Sequence, residues 1–197
     1  MRRLIALFLL AIAAATTPAA AQTPQTASVV LAGGCFWCME PPYDKTDGVL
    51  STISGYSGGK QAKPTYEQVS AGSTGHVEVV KVEYDPTKVS YEKLLDIFWK
   101  NIDPVDADGQ FCDKGSQYRS AIFYGNEKEK ELAEASKQQV AAKLGQTVAT
   151  DILPAAEFYP AEDYHQDYYI KNPLKYKFYR YGCGRDARLE AVWGAEK

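Results

Sequence analysis

Histidine is scarce in this chain: 2 residues in 197, too little material for a multi-histidine metal site. Basic residues are not in excess either. Lys and Arg number 22 against 25 Asp and Glu, a formal charge of −3, so the electrostatic footprint of a nucleic-acid binder is missing. With 15 Gly and 10 Pro, the chain is neither collagen-like nor of low complexity. No apolar run approaches the roughly 20 residues that a membrane-spanning helix needs. There is no internal repeat and no linker that would separate domains. The length suits one medium globular domain.

What the sequence does hold is tyrosine, 14 residues against 7 Phe and 3 Trp, and 4 cysteines. It opens with Met1-Arg2-Arg3, continues through an apolar run from Leu4 to Ala15, and reaches Ala19-Ala20-Ala21. A basic start, an apolar centre and small residues at the end describe a secretory signal peptide, residues 1–21. The expectation is cleavage after Ala21, no stable membrane insertion afterwards, and delivery to the periplasm of a Gram-negative cell. That compartment permits disulfides. Residues 22–27 are polar and read as a flexible leader.

The remainder alternates strand and helix signals. Ser28 to Ala32, Val49 to Tyr56, His76 to Tyr84, Ser120 to Tyr124 and Thr147 to Leu153 read as strands. Helices are predicted from residue 35, with Pro41-Pro42 complicating the course, from Ser90, from Asn126 to about Leu144 with Gly145 as its stop, and from Glu162 to Tyr169. Residues 103–117 are polar and read as a long loop, of the kind that often carries function. From Leu174 the chain reads as an irregular, aromatic and basic tail holding Cys183. Strands and helices mix without regular βαβ repetition, so the expected class is α+β: a single domain, residues 28–197, with a mixed sheet, flanking helices and the 174–197 tail.

Gly33-Gly34-Cys35-Phe36-Trp37-Cys38 carries the most chemistry. Two glycines let the chain turn sharply after a strand, leaving Cys35 in the first turn of a helix. Free N–H groups and the helix dipole there favour a thiolate, the nucleophilic form. Phe36 and Trp37 offer an apolar wall beside it. The competing reading of Cys35-x-x-Cys38 is a structural or thioredoxin-type pair. Gly55-Tyr56-Ser57-Gly58-Gly59 lacks the spacing of a phosphate loop. Glu78 stands among Val77, Val79 and Val80; a strand carboxylate of this kind usually faces solvent. His76 and His165 read as structural groups, and the tyrosine-rich stretches 159–169 and 176–181 mostly as packing, with some rings bordering the site.

Six segments in order resemble the A-type methionine sulfoxide reductases. They are Gly34-Cys35-Phe36-Trp37, Gly55-Tyr56-x-Gly58-Gly59, Thr74-Gly75-His76-x-Glu78, Tyr84-Asp85-Pro86, Asp113-x-Gly115-x-Gln117-Tyr118-Arg119-Ser120 and Ala161-Glu162-x-x-His165-Gln166-x-Tyr168. The resemblance implies a ferredoxin-like core and reduction of methionine-S-sulfoxide in proteins and as the free amino acid. It implies Cys35 as nucleophile and Phe36 with Trp37 around the substrate methyl group. Tyr56, Glu78 and Tyr118 would surround the sulfoxide oxygen, with Asp113 in the polar network beside them. No resident cofactor or metal is implied; an outside thioredoxin-like dithiol supplies electrons. The partners are therefore oxidised proteins or peptides and that donor, and the default assembly is a monomer.

A thiolate that attacks the sulfoxide sulfur ends as a sulfenic acid, which a second thiol converts to a disulfide. The resemblance places that resolving thiol in the tail, at Cys183, so a Cys35–Cys183 disulfide is expected. Cys112 and Cys38 are the other candidates, each also readable as an inert, partly buried thiol. With one cysteine in the tail, a relay between two tail cysteines is not expected. Two rival readings remain: a general thiol–disulfide oxidoreductase working through Cys35 and Cys38, and a non-enzymatic domain stapled by Cys35–Cys38 and Cys112–Cys183.

Overall fold

A computed structural model describes residues 26–194. The expected signal segment 1–21, most of the leader 22–27 and the last three residues lie outside the described residues.

Among the described residues eight strands and seven helices follow one another: β1 (Ala27–Gly33), α1 (Phe36–Asp44), β2 (Val49–Ser57), α2 (Tyr66–Ser70), β3 (Val77–Tyr84), α3 (Tyr91–Lys100), β4 (Gly109–Gln110), β5 (Asp113–Lys114), β6 (Ser120–Tyr124), α4 (Glu127–Leu144), β7 (Asp151–Pro154), β8 (Tyr159–Pro160), α5 (Tyr168–Lys171), α6 (Pro173–Gly182) and α7 (Arg185–Trp193). The main sheet runs β7-β6-β1-β3-β2-β8. Its middle four strands are antiparallel and arise from a β-α-β-β-α-β path, the ferredoxin-like arrangement. β7 joins β6 in parallel, which makes the sheet mixed. The expected α+β class is the observed one.

Both sheet faces are covered. Val29, Leu31, Val80 and Val82 meet the helices in the main core, together with Phe36, Met39, Leu94, Leu95 and Phe98. Ala32, Val77, Val79, Ala121 and Phe123 form a smaller cluster on the other face. Each large apolar side chain removed from water there contributes about 1.5–3 kcal/mol. Glu78 shares strand parity with Val80 and Val82, so it points to the helix-covered face. It is 3 % exposed, not solvated as an ordinary strand carboxylate would be.

Helix ends follow local chemistry. Asn126 accepts a hydrogen bond from the Glu129 N–H at 3.0 Å, and α4 stops at left-handed Gly145. Ser90 caps α3 through the Lys93 N–H. α1 runs on through Pro41 and Pro42.

The structure corrects several element boundaries. The predicted strand 147–153 is paired only at Asp151–Pro154. The predicted helix 162–169 is a turn followed by α5. The long loop carries the β4–β5 hairpin and a 3₁₀ turn over Ser116–Tyr118. The tail is not irregular: it forms α6 and α7, because Tyr176, Tyr179 and Cys183 recur on one helix face and dock it on the domain. Arg185 anchors α7. It is 1 % exposed, and its guanidinium donates to the carbonyls of Gly33 at 3.1 Å and Asn101 at 2.7 Å.

Candidate active site

β1 and β3 run antiparallel, with Leu31 opposite Val80. The chain leaving β1 therefore passes the start of β3. Gly34 takes φ +77°, and a Cβ there would lie 2.5 Å from the Gln110 side chain, so glycine is required for the turn. Cys35 follows as the residue capping α1 and is 7 % exposed.

The next N–H, that of Phe36, donates to Glu78 Oε2 at 3.1 Å. Burial pushes the Glu78 carboxyl up to about 8, against the opposing pull of that N–H. It therefore keeps its proton at neutral pH beside Cys35.

Two tyrosines border this pair. Tyr118, at the end of the 3₁₀ turn, is half-buried, and burial followed by the Glu78 charge raises its phenol. Tyr66, the first residue of α2, is raised to about 12 by burial and then by Glu78 and Cys35. Burial, then Glu162 and Glu78, raise the Tyr56 phenol as well. It lies opposite Glu78 in the β2–β3 register, but its hydroxyl donates to Glu162 Oε2 at 2.8 Å. Glu162 also accepts from the Tyr66 N–H at 2.9 Å. Tyr56 thus supports the turn that presents Tyr66. The signal for it was present: Thr65-x-x-Gln68 is a capping box, formed with both bonds in place, and it marks a helix start at Tyr66.

Phe36 is buried and Trp37 half-buried. The indole N–H of Trp37 donates to His165 Nδ1 at 3.0 Å. Its ring stacks on Tyr168 with centroids 3.7 Å apart and meets Tyr179 edge-on at 5.7 Å. Burial lowers the His165 imidazole, so it stays neutral and orients the indole. His76 is structural too. It accepts from the Gly59 N–H at 3.1 Å and pairs with the Gln61 carbonyl at 2.8 Å.

Asp113 is half-buried, and burial raises its carboxyl. It accepts a hydrogen bond from the Tyr179 hydroxyl, which also reaches the Cys35 sulfur. α6 therefore lies across the site, its Tyr179 over the nucleophile candidate.

The cysteines depart most from expectation. Cys112 and Cys183 form a disulfide, their Cα atoms 5.0 Å apart, and Cys35 and Cys38 are buried thiols. Cys183 is thus paired with Cys112, not Cys35, and Cys112 is not an inert buried thiol but exposed. Half of the stapled-domain pattern is present; a Cys35–Cys38 bond is not.

Nor is Cys38 detached from the site, because its thiol is hydrogen-bonded to that of Cys35. The two titrate as a pair. Burial under the tail raises Cys35 well above an ordinary thiol, with the Cys38 bond and the Glu78 charge adding to it. The Cys35 hydrogen bond, with Arg185 and Arg180 nearby, lowers Cys38 to about 6. The helix N-terminus does not by itself give a Cys35 thiolate, since its first N–H is taken by Glu78.

Residues 27–197 match the family model of peptide methionine sulfoxide reductase. A peptide methionine sulfoxide reductase MsrA of Bacillus subtilis is 53 % identical over 167 residues, covering 84 % of this chain and 94 % of the relative. One from Caulobacter vibrioides, MsrA 2, is 50 % identical over 197 residues, covering 98 % of this chain and all of the relative. Among solved structures, the methionine sulfoxide reductase A of Corynebacterium diphtheriae superposes with a TM-score of 0.69 at 36 % identity, covering 78 % of each chain. Reduced Mxr1 of Saccharomyces cerevisiae gives 0.72 at 35 % identity, covering 75 % of this chain and 86 % of that one. A buried cysteine beside a protonated carboxyl and an aromatic wall, set in this fold, makes the chain a member of the peptide methionine sulfoxide reductase family, a thiol-dependent oxidoreductase that reduces methionine sulfoxide.

Proposed function

We propose that this chain reduces the S epimer of methionine sulfoxide, in proteins and as the free amino acid, through a sulfenic acid on Cys35. The observation that carries the reading is the Glu78 carboxyl, 3 % exposed, held by the Phe36 N–H at 3.1 Å next to the Cys35 thiol.

Cys35 and Cys38 are hydrogen-bonded and titrate as a pair. A proton passed from Cys35 to Cys38 produces the Cys35 thiolate, which attacks the sulfoxide sulfur. Glu78 gives its proton to the oxygen as the S–O bond weakens. The Tyr66 and Tyr118 hydroxyls donate to the developing charge, and Asp113 completes the polar rim. Phe36 and Trp37 enclose the methyl group, Trp37 being fixed by His165 and Tyr168. The S–O bond breaks, the released hydroxide attacks the Cys35 sulfur, and the bond between Cys35 and the substrate sulfur breaks, so methionine leaves with the electron pair and Cys35 becomes a sulfenic acid. Cys183 condenses with it, releasing water. A thioredoxin-like dithiol restores the thiols by exchange. The substrate must displace Tyr179, so α6 lifts during each cycle.

The signal-like sequence of residues 1–21 supports a periplasmic enzyme that repairs oxidised exported proteins. Fractionation of cells, followed by mass measurement of the mature N-terminus, tests this. The expected result is a periplasmic chain starting at Gln22, and a cytoplasmic chain retaining Met1 contradicts it.

The activity is tested with separated S and R epimers of a methionine sulfoxide peptide and dithiothreitol as reductant. Turnover of the S epimer is expected. Turnover of neither, or preference for R, overturns the assignment.

A further inference from the structure

We infer that Cys112 is a third redox cysteine, which takes Cys183 from Cys35 and presents the resulting disulfide to the outside dithiol. This rests on the proposed Cys35 chemistry and adds a residue and a step to it.

The geometry has three parts. First, Cys112 is one of the two residues at the tip of the β4–β5 hairpin, between Gln110 and Asp113, where Phe111 takes φ +57°. Exposed Cys112 is therefore covalently next to Asp113, a residue of the site rim. Second, Cys183 follows Tyr179 by four residues at the end of α6 and so lies on the same helix face, about 6 Å along the axis. Tyr179 is the α6 residue whose hydroxyl reaches the Cys35 thiol and donates to Asp113 on the site rim. A displacement of about one helical turn thus exchanges Tyr179 for Cys183 over the nucleophile. Third, Cys183 is found on Cys112, with Cys35 left as a thiol. That is the arrangement in which the nucleophile has been restored and the oxidising equivalents have moved outward.

The steps balance. The Cys35 sulfenic acid and the Cys183 thiol give a Cys35–Cys183 bond and water. The Cys112 thiolate attacks the Cys183 sulfur; the Cys112–Cys183 bond forms, the Cys35–Cys183 bond breaks, and Cys35 departs as a thiolate. This second step is an exchange without net oxidation. The outside dithiol then reduces Cys112–Cys183 and becomes a disulfide itself. Access explains the need for the extra step. Cys35 is 7 % exposed and lies beneath α6, whereas Cys183 opens on a groove of about 430 Å³ lined by Asp103, Asp106, Phe111, Lys114 and Arg188.

The test is stoichiometric. Fully reduced protein, freed of reductant, is mixed with excess methionine-S-sulfoxide, and methionine per chain is counted. The wild-type chain restores Cys35 once and so should form two methionines, whereas Cys112→Ser should form one and stop with Cys35–Cys183. Peptide mapping of the wild-type chain after one equivalent of substrate should show Cys112–Cys183 with Cys35 unblocked; this measurement needs no variant. Cys112→Ala, with a different side chain at the hairpin tip, should behave like Cys112→Ser.

One methionine from the wild-type chain, two from Cys112→Ser, or a mapped Cys35–Cys183 bond beside a free Cys112 overturns the relay while leaving the reductase activity intact. A wild-type chain that forms no methionine overturns the activity and the relay together.

Discussion

Replacing Glu78 by Gln separates its charge from its shape. Gln keeps an acceptor for the Phe36 N–H, which lies 3.1 Å from Glu78 Oε2, and changes the volume little. It cannot release a proton at the pH of the reaction. Loss of a positioned general acid costs ~10²–10⁴ in rate, or roughly 3–5 kcal/mol of barrier, so the single-turnover rate of methionine formation should fall by that factor. The apparent substrate affinity should change by less than about tenfold.

The same variant changes stability in a pH-dependent way. The folded carboxyl titrates near 8 against a reference of 4.5, so between those values the native state holds a proton that the unfolded chain has released. The wild-type chain therefore loses about 1.4 kcal/mol per pH unit across that window relative to the variant. Urea unfolding of both proteins at pH 5 and pH 7 should show the difference between them moving by about 3 kcal/mol, with the wild-type chain relatively weaker at pH 7. A difference independent of pH, or an unchanged single-turnover rate, refutes the assignment of Glu78 as a buried, protonated acid.

Tyr66→Phe should slow the single-turnover reaction by roughly tenfold with little change in stability, whereas Tyr56→Phe should mainly lower stability, by about 1–3 kcal/mol, because Glu162 loses a buried donor; equal kinetic losses in both would return Tyr56 to the site. The single-turnover rate should rise with pH near 6, where Cys38 ionises, and fall near 8, where Glu78 does; Cys38→Ala should move the lower limb upward in pH and leave the upper limb in place. Arg185→Met removes two charge-assisted hydrogen bonds to backbone carbonyls and should release α7, lowering the urea midpoint by the equivalent of about 2–4 kcal/mol; an unchanged midpoint would show that the tail is held elsewhere.

Where the chain carried strong local periodicity or unambiguous capping, the sequence was enough. Asn126 and Gly145 bounded α4, alternating valines drew β3, and the two glycines before Cys35 placed it at a strand-to-helix junction. Of the site residues that the resemblance named, the structure brings Cys35, Phe36, Trp37 and Glu78 together around one hydrogen bond, Phe36 N–H to Glu78.

Three features depend on long-range contacts and were not legible. Tyr56 and Tyr66 are both tyrosines in turn-rich surroundings, and only the position of Glu162, nearly a hundred residues away, decides which hydroxyl is engaged. The tail carries no clear helix signal of its own, yet docking on Trp37 and burial of Arg185 fold it into α6 and α7. The pairing of Cys112 with Cys183 spans 71 residues, and four cysteines allow three complete pairings. Cys38 is a further feature that local sequence does not rank: burial raises the Cys35 thiol and the hydrogen bond between the two cysteines couples their titration.

The most direct test of the central claim is to trap the intermediate. Reduced Cys183→Ser is mixed with one equivalent of methionine-S-sulfoxide and a dione reagent that reacts with sulfenic acids, and the labelled peptide is identified by mass spectrometry. The account predicts one adduct per methionine formed, on Cys35, and none in Cys35→Ser. Methionine formed without an adduct on Cys35, or an adduct on Cys38 in its place, contradicts it.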